Sequence, residues 1–453
     1  MTHLVVIGFD EIVSNKYMSC IADAISAKAI DGYTVIDLKS QKPFIESRIA
    51  KLSLKPEAVY YLPENFSTAA WSNEKDYEKI ITNLAKKKSK IKVYIATEVK
   101  AHEGYLRFCV ENGFDSLVEK PVFAPMSDTG FDSAKIDSTM HAFVQKAAKT
   151  NSRQSVMSLS RYHPIYNDIV ITRLQSLMEE LDAPITSFHL KAAGGVWNLH
   201  REFESSDDHP HKYGYGMLMH GAYHYIDLAA QFISLNRLIY SEQPLTMTVS
   251  SHGAFPSDQN DRISKKISAD FHDNQPNWPA ISPSTDIPYG ETDIVSSFCI
   301  KNMATSKTIM LGTLAFEQTT PSIRNWEKIP EGLYNKKGRT SRVDLEAQLS
   351  TLHAVNVECY DVPIKENGQV DRIDAFARVS TRTNAALLST HEYVTEETHT
   401  GIFHSESNKR LMFAWLMGKE TKSSLESHML PMYMIEALAE SLKKPGEPVT
   451  IGI

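Results

Sequence analysis

Apolar residues in the early part of the chain come in short, nearly unbroken runs separated by polar segments. "HLVVIG" (3–8), "GYTVIDL" (32–38), "AVYYLP" (58–63), "IKVYIAT" (91–97), "DSLVEKP" (115–121) and "SVMSLS" (155–160) each read as a strand covered on both faces. Helical spacing fills the gaps. It runs from the turn after Gly8 to about Lys28, through "DYEKIITNLAKKK" (76–88), through "HEGYLRFCVENG" (102–113) with Gly113 as its stop, and over about 135–149. Short buried strands alternating with helices predict an α/β fold: a Rossmann-type, doubly wound parallel sheet over residues 1–160. Such sheets bind ligands at the carboxyl ends of their strands.

The pattern changes near Arg161. A helix ("YNDIVITRLQSLMEEL", 166–181), a strand ("ITSFHLKAA", 185–193) and a helix over about 214–234 are followed mainly by strands. These are "LTMTVSS" (245–251), "TDIVSSFCI" (292–300), "KTIMLGTLAFEQT" (307–319), "VDLEAQLST" (343–351), "AVNVECYDV" (354–362) and "IDAFARVST" (373–381). A last helix, "LPMYMIEALAESLKK" (430–444), precedes "PVTIGI". Successive long strands predict a C-terminal α+β domain over 161–453 with a large open, mostly antiparallel sheet. Residues 252–291, rich in Ser, Asp, Asn and Pro, read as a long loop.

Composition narrows the function. The 453 residues are 42% hydrophobic and 23% charged, with formal charge -7 and pI near 6.2. The densest basic run, "KKKSKIK" (86–92), is the solvated end of a helix. Nucleic acid and anionic membrane are therefore not expected partners. No apolar run approaches the ~20 residues of a membrane span, and no signal peptide is visible at the N-terminus. Cys20, Cys109, Cys299 and Cys359 are widely spaced, which fits free thiols in a reducing compartment and a cytoplasmic protein. His209, His211, His220 and His224, with Asp207 and Asp208, resemble a metal set. The H-x-x-x-H spacing lacks the Glu of H-E-x-x-H, so no metal is expected.

Three stretches carry candidate chemistry. After the first strand, "GFDEIV" keeps Gly8 but has Asp10 and Val13 where a G-x-G-x-x-G turn has its second and third glycines. Lys120 ends a parallel strand, where ligands bind, and Pro121 restricts the backbone beside it. In "YGYGMLMHGAYHYIDLAAQF" (213–232), His220 and His224 are spaced i, i+4, which predicts one shared helical face. Gly216, Gly221 and Ala222 keep that helix slim.

"VYIATEVKAH…GFDSLVEKPV" followed by "GYGMLMHGAYHYIDLAAQF" resembles the glucose–fructose oxidoreductase / inositol dehydrogenase (Gfo/Idh/MocA) family, and the order of elements matches along essentially the whole chain. The resemblance implies an NAD(P)-dependent oxidoreductase acting on a hydroxyl or carbonyl of a sugar, cyclitol or related small metabolite. It implies that Lys120 holds the reacting hydroxyl beside the nicotinamide and that His224 is the acid/base. Gly8, Asp10, Ile12, Asp37, Thr97, His102 and Glu119 would then border the cofactor. Asp37, suited to a ribose 2′-hydroxyl, favours NAD over NADP. Arg161, Trp197, His220 and Tyr223 would contact substrate with His224, and His200, Arg201 and Tyr213 add polar and aromatic lining. A homodimer or homotetramer paired through the C-terminal sheet is implied as well. Two departures stand out. His220 replaces an aspartate of the family pattern, and Asp10 sets a carboxylate where pyrophosphate binds. The second leaves an alternative open: a member that has lost normal dinucleotide binding and works as a redox-neutral enzyme or a sensor.

Overall fold

Valine, isoleucine and tyrosine dominate the early runs, and such side chains suit a pleated surface covered on both sides. In the computed structural model, which describes residues 2–64, 74–206, 209–264, 288–324, 339–366 and 369–453, these runs form strands. They are β1 (Thr2–Ile7), β2 (Tyr33–Leu38), β3 (Ala58–Leu62), β4 (Lys90–Ile95) and β5 (Asp115–Glu119), a small hairpin of β6 (Met126–Ser127) and β7 (Gly130–Phe131), and β8 (Gln154–Met157). The main sheet has the order β3-β2-β1-β4-β5-β8, and every pair is parallel. The order reverses between β1 and β4, which makes their carboxyl ends the switch point of a doubly wound sheet.

The chain divides into two compact units. One comprises Met1–Tyr162 and His404–Met432, the other His163–Phe403 and Tyr433–Ile453. The expected division at 160 had assigned residues 404–432 to the second domain. Packing explains the difference. The helix His404–Leu416 contributes Leu411, Met412, Trp415 and Leu416 to the core formed by Leu4, Val6, Tyr17, Ile21 and Val35. Its carboxyl end is capped from β4. The buried Lys92 ammonium donates to the Trp415 carbonyl and, at 3.0 Å, to the Leu416 carbonyl. A cation there satisfies orphan carbonyls and the negative end of the helix dipole. Desolvation pulls the Lys92 pKa down to about 8.

The second unit is built on a nine-stranded sheet. Its strands are β9 (Ile185–Ala193), β10 (Leu245–Ala254), β11 (Asp293–Asn302), β12 (Lys307–Glu317), β13 (Arg342–Leu349), β14 (His353–Glu366), β15 (Gln369–Thr383), β16 (Val394–Thr400) and β17 (Val449–Gly452). The order is β16-β15-β14-β13-β9-β12-β11-β10-β17. Only the β9–β12 pair is parallel; the rest are antiparallel. Alternation sets the faces: Val343, Leu345, Ala347 and Leu349 of β13 point into the core. The helix Tyr223–Leu235 packs on β9, with the Phe188 and Phe232 rings 5.0 Å apart. Asn236 fixes that helix end. It accepts from the Ile185 amide at 2.8 Å and donates to the Ile185 carbonyl at 2.9 Å. Of the expected 252–291 loop, 252–254 continue β10 and 256–262 form short helical turns, while 265–287 lie outside the described residues.

Candidate active site

In the first unit, the carboxyl ends of β1, β2, β4 and β5 gather most residues expected at a cofactor. Gly8 has φ +86°. A Cβ on it would lie 2.3 Å from the Ala96 carbonyl oxygen, so the turn needs glycine on both counts. Asp10 then folds back on the chain. Its Oδ1 accepts the Val13 amide at 2.9 Å, and its carbonyl accepts the Ser14 amide at 3.1 Å. Val13 is buried in the core, and Ile12 packs against the same cluster. Asp37, at the end of β2, takes the Phe9 amide on Oδ2 and the Leu38 amide on Oδ1, both at 2.7 Å.

Two acids and two cations therefore meet at this turn. Desolvation is the main force raising the Asp10 carboxyl to about 6; Glu119 adds to the rise, while the Val13 bond and Arg48 oppose it. Asp10 also keeps an accessible surface, so water moderates that rise. Burial raises Asp37 against its two backbone bonds. Arg48, from the helix Lys42–Lys51, donates to the Phe9 carbonyl at 3.4 Å. Lys16 is lowered to about 8 by desolvation, with Glu119 pulling the other way.

The loops after β4 and β5 are tied together by His102. Its ring lies between the Pro121 carbonyl (Nδ1, 2.9 Å) and the Thr97 carbonyl (Nε2, 3.0 Å). Burial pulls His102 down to about 4, so at ordinary pH the ring is neutral, donates its one N–H to one of the two carbonyls and packs against the other. Thr97 Oγ1 is buried and has no hydrogen-bond partner among the described residues. An orphan hydroxyl of this kind costs about 1–3 kcal/mol until something meets it. Glu119 accepts the Tyr94 hydroxyl at 2.7 Å. Lys120 follows it, half-buried, at a cis bond to Pro121. Arg161 is buried and donates to the Ser427 carbonyl at 2.8 Å and the Lys422 carbonyl at 3.4 Å. Its guanidinium thus holds backbone in the second segment of the same unit.

In the second unit the expected helix over 214–234 starts only at Tyr223, after a tight turn at Met217–Met219. His220 has φ −103° and ψ −111°, outside the helix. His220 and His224 therefore do not share a helical face, contrary to the i, i+4 expectation. The glycines explain this. A Cβ on Gly216 would lie 2.0 Å from the Glu291 carbonyl oxygen, and one on Gly290 would lie 2.0 Å from the Tyr215 carbonyl carbon. Two backbones touch at this crossing, and the continuous helix gives way to it.

Around His220, itself buried, the rings of His209, His211 and Tyr215 lie at 5.0, 5.2 and 5.8 Å. Tyr223 is fully buried, and His224 is half-buried on the first helical turn. Asp227 is buried and accepts from Gln231 Nε2 at 3.5 Å, a helix-internal role. Trp197 is half-buried, and its carbonyl accepts Arg324 Nη1 at 2.5 Å. Arg324 also grips Glu202 at 2.8 and 3.0 Å. The side chains of His200 and Arg201, and all of Asp207 and Asp208, lie outside the described residues.

Sequence reasoning missed four charged groups here. Lys16 and Arg48 flank the Asp10 turn. Arg339 sets its guanidinium 3.2 Å from where a Gly221 Cβ would stand. Glu291 accepts the Leu218 amide at 2.8 Å on Oε1. The one available signal was for Glu291, an acid abutting the apolar strand "TDIVSSFCI". A His3–Asp31–Glu57 cluster near the amino end of β1 also groups metal-type ligands. There the Lys88 ammonium, 3.6 Å from Asp31 and 3.0 Å from Glu57, already supplies the positive charge.

A parallel sheet with its switch point at β1/β4, joined to a large mixed open sheet, is the architecture of Gfo/Idh/MocA-type oxidoreductases, and the chain has that fold. No family model matches the sequence, and no curated protein sequence matches it. Solved structures do. Levoglucosan dehydrogenase in complex with NADH and levoglucosan matches with a TM-score of 0.55 at 12% identity, over 100% of both chains. Aldose-aldose oxidoreductase from Caulobacter crescentus, complexed with glycerol, gives 0.54 at 11% identity over 99% of each chain. The WlbA dehydrogenase from Bordetella pertussis, with NADH and UDP-GlcNAcA, gives 0.51 at 11% identity, over 99% of this chain and 97% of that one. Among the described residues no helix is long and apolar enough to cross a membrane.

Proposed function

We propose that this protein is an NAD-dependent oxidoreductase acting on a CH–OH or carbonyl group of a sugar, cyclitol or related small metabolite. The observation that carries the reading is Lys120, at the carboxyl end of β5 beside the switch point, on a fold that recurs in NADH-bound dehydrogenases. The first unit suits a dinucleotide in three respects. Gly8 is left-handed, Asp37 ends β2, and the buried Thr97 hydroxyl lacks a partner among the described residues. Lys16 and Arg48 add positive charge at the turn where Asp10 adds negative charge.

When bound, NAD supplies the hydride acceptor. His224, on an accessible first turn, takes the hydroxyl proton at an imidazole nitrogen and returns it in the reverse direction. The Lys120 ammonium stabilises negative charge developing on the substrate oxygen. Asp37, Lys16 and Arg48 would hold the cofactor, and the His102 ring packs between the Thr97 and Pro121 carbonyls.

One observation favours a second reading. The Val13 amide, which would face a phosphate, is already taken by Asp10. A chain capped in this way could have given up the dinucleotide for redox-neutral chemistry or sensing. Isothermal titration with NAD(H) and NADP(H) separates the two. Saturable NAD(H) binding in the micromolar range is expected, and no heat from either cofactor at millimolar concentration would sink the oxidoreductase reading.

A further inference from the structure

The turn that presents His220 is held from far along the chain. Residues 290–291 lie against 211–218 through four hydrogen bonds. The Gly290 amide donates to the His211 carbonyl at 2.9 Å, and His211 Nδ1 lies 3.0 Å from the Gly290 carbonyl. The Met217 amide donates to the Glu291 carbonyl at 2.9 Å, and the Leu218 amide donates to Glu291 Oε1 at 2.8 Å. Two of the four join backbone to backbone, and a third joins the His211 imidazole to the Gly290 carbonyl. From the 290–291 side only the fourth uses a side chain, and that side chain is an acid of 6% exposure.

Placing a carboxyl there is costly. Desolvation pushes Glu291 up to about 7, against the Leu218 bond that favours its ionised form. A glutamine could accept the same amide without a charge to bury. What the geometry requires at this position is a side-chain acceptor for the Leu218 amide, and what that acceptor holds is the turn between Gly216 and His220.

We propose that Glu291 is the positioning residue of the histidine segment: through the Leu218 amide its carboxyl fixes the 217–219 turn, and with it the aim of His220 and the start of the helix that carries His224. This role rests on the reading of that segment as the acid/base side of the active site. Asn236 pins the far end of the same helix to β9, so its start is the end left for Glu291 to set. Small errors in aim are expensive, because misplacement on the order of 1 Å can cost about 100-fold in rate.

The test uses the full chain labelled with 13C-histidine, compared as wild type, Glu291→Gln and Glu291→Leu. Gln keeps the acceptor, whereas Leu has similar bulk and none. Imidazole resonances of His220 and His224 should coincide in wild type and Gln and move in Leu. Turnover should follow: kcat close to wild type in Gln and down on the order of tenfold or more in Leu, with KM within about twofold. Should the Leu variant not fold, Glu291→Asp, one methylene short of the Leu218 amide, carries the same expectation. Unmoved resonances in Leu or Asp, or a Gln variant as damaged as Leu, would overturn the proposal. The resonances report it without any turnover, so a protein that binds no NAD sinks only the oxidoreductase reading.

Discussion

Two loop-to-helix junctions dominate this molecule, and each has a backbone amide capped by the chain's own carboxylate. At the Gly8 turn the cap is local and accessible: Asp10 reaches Val13, three residues on. At the Gly216 turn the cap is distant and buried: Glu291 reaches Leu218 across 73 residues. A local, wetted cap can be exchanged for a ligand at low cost, because water already competes for the carboxylate. A buried cap from another segment cannot leave without exposing an unpaired amide and opening the crossing of Gly216 and Gly290. The first cap is thus the easier to exchange and the second the harder. That contrast fits the cofactor seat proposed at the first junction and the acid/base proposed after the second.

The largest effect should come from the groups assigned to chemistry. Lys120→Ala and His224→Ala should each lower kcat by about 100- to 10,000-fold. Both residues are only half-buried, so thermal unfolding should shift by no more than about 1 kcal/mol. Stopped-flow or steady-state NADH absorbance reads the first, and scanning calorimetry the second. Turnover that survives either substitution would remove that residue from the reaction.

Next in size is a stability effect at the buried cap. Glu291 titrates near 7 folded, against 4.5 ordinarily. Between those values the folded state binds more protons than the unfolded one, so this group makes stability fall as pH rises from about 4.5 to 7 and holds it down above that. The gap corresponds to about 3 kcal/mol. Glu291→Gln removes the penalty. Denaturant melts should show little difference between variant and wild type at pH 4, and a more stable variant by about 2–3 kcal/mol at pH 8. Equal stability at both pH values would mean that the carboxyl is better solvated than its surroundings imply.

The contrast between the two junctions also explains what the sequence could reveal. Parallel strands were legible because runs such as those at 3–8 and 91–97 are short, rich in Val, Ile and Tyr, and separated by helical patterns, which together favour a strand covered on both faces. The Gly8 turn was legible because its glycine directly follows an apolar strand and its cap, Asp10, lies three residues before Val13, although Asp37, Arg48 and Ala96 reach it from elsewhere in the chain. The Gly216 turn was not. Its glycines read as a slim helix, when they exist to let a second backbone pass, and the residues that pass, Gly290 and Glu291, leave no local trace. The edge strand β16 escaped for a different reason: "VTEETHT" buries no side chain fully, so it carries no apolar signal. The helix at 404–416 has a polar first half, "HSESNKR", and its apolar second half is matched to a core formed by the other end of the chain.

The smallest effect is the one that sharpens the comparison most. Near Asp10 lie the titratable groups Glu119, Arg48, Lys16 and Tyr17. Asp10 changes charge between its ordinary 3.8 and about 6, because desolvation raises it and its accessible surface limits the rise, and its ionised form opposes a pyrophosphate at the helix start. NAD affinity should therefore weaken as pH rises from about 4 to 7, by roughly three- to tenfold. Asp10→Asn keeps an oxygen for the Val13 amide but removes the charge. Its affinity should be flat over that range and match the wild-type value at low pH. Asp10→Gly, which vacates the seat altogether, should bind at least as tightly as Asn. If the Asn variant keeps the wild-type slope, the charge of Asp10 is not what the cofactor meets. The Gly8 junction would then be as fixed as the Gly216 one, and the distinction between a cap that yields and a cap that stays would collapse.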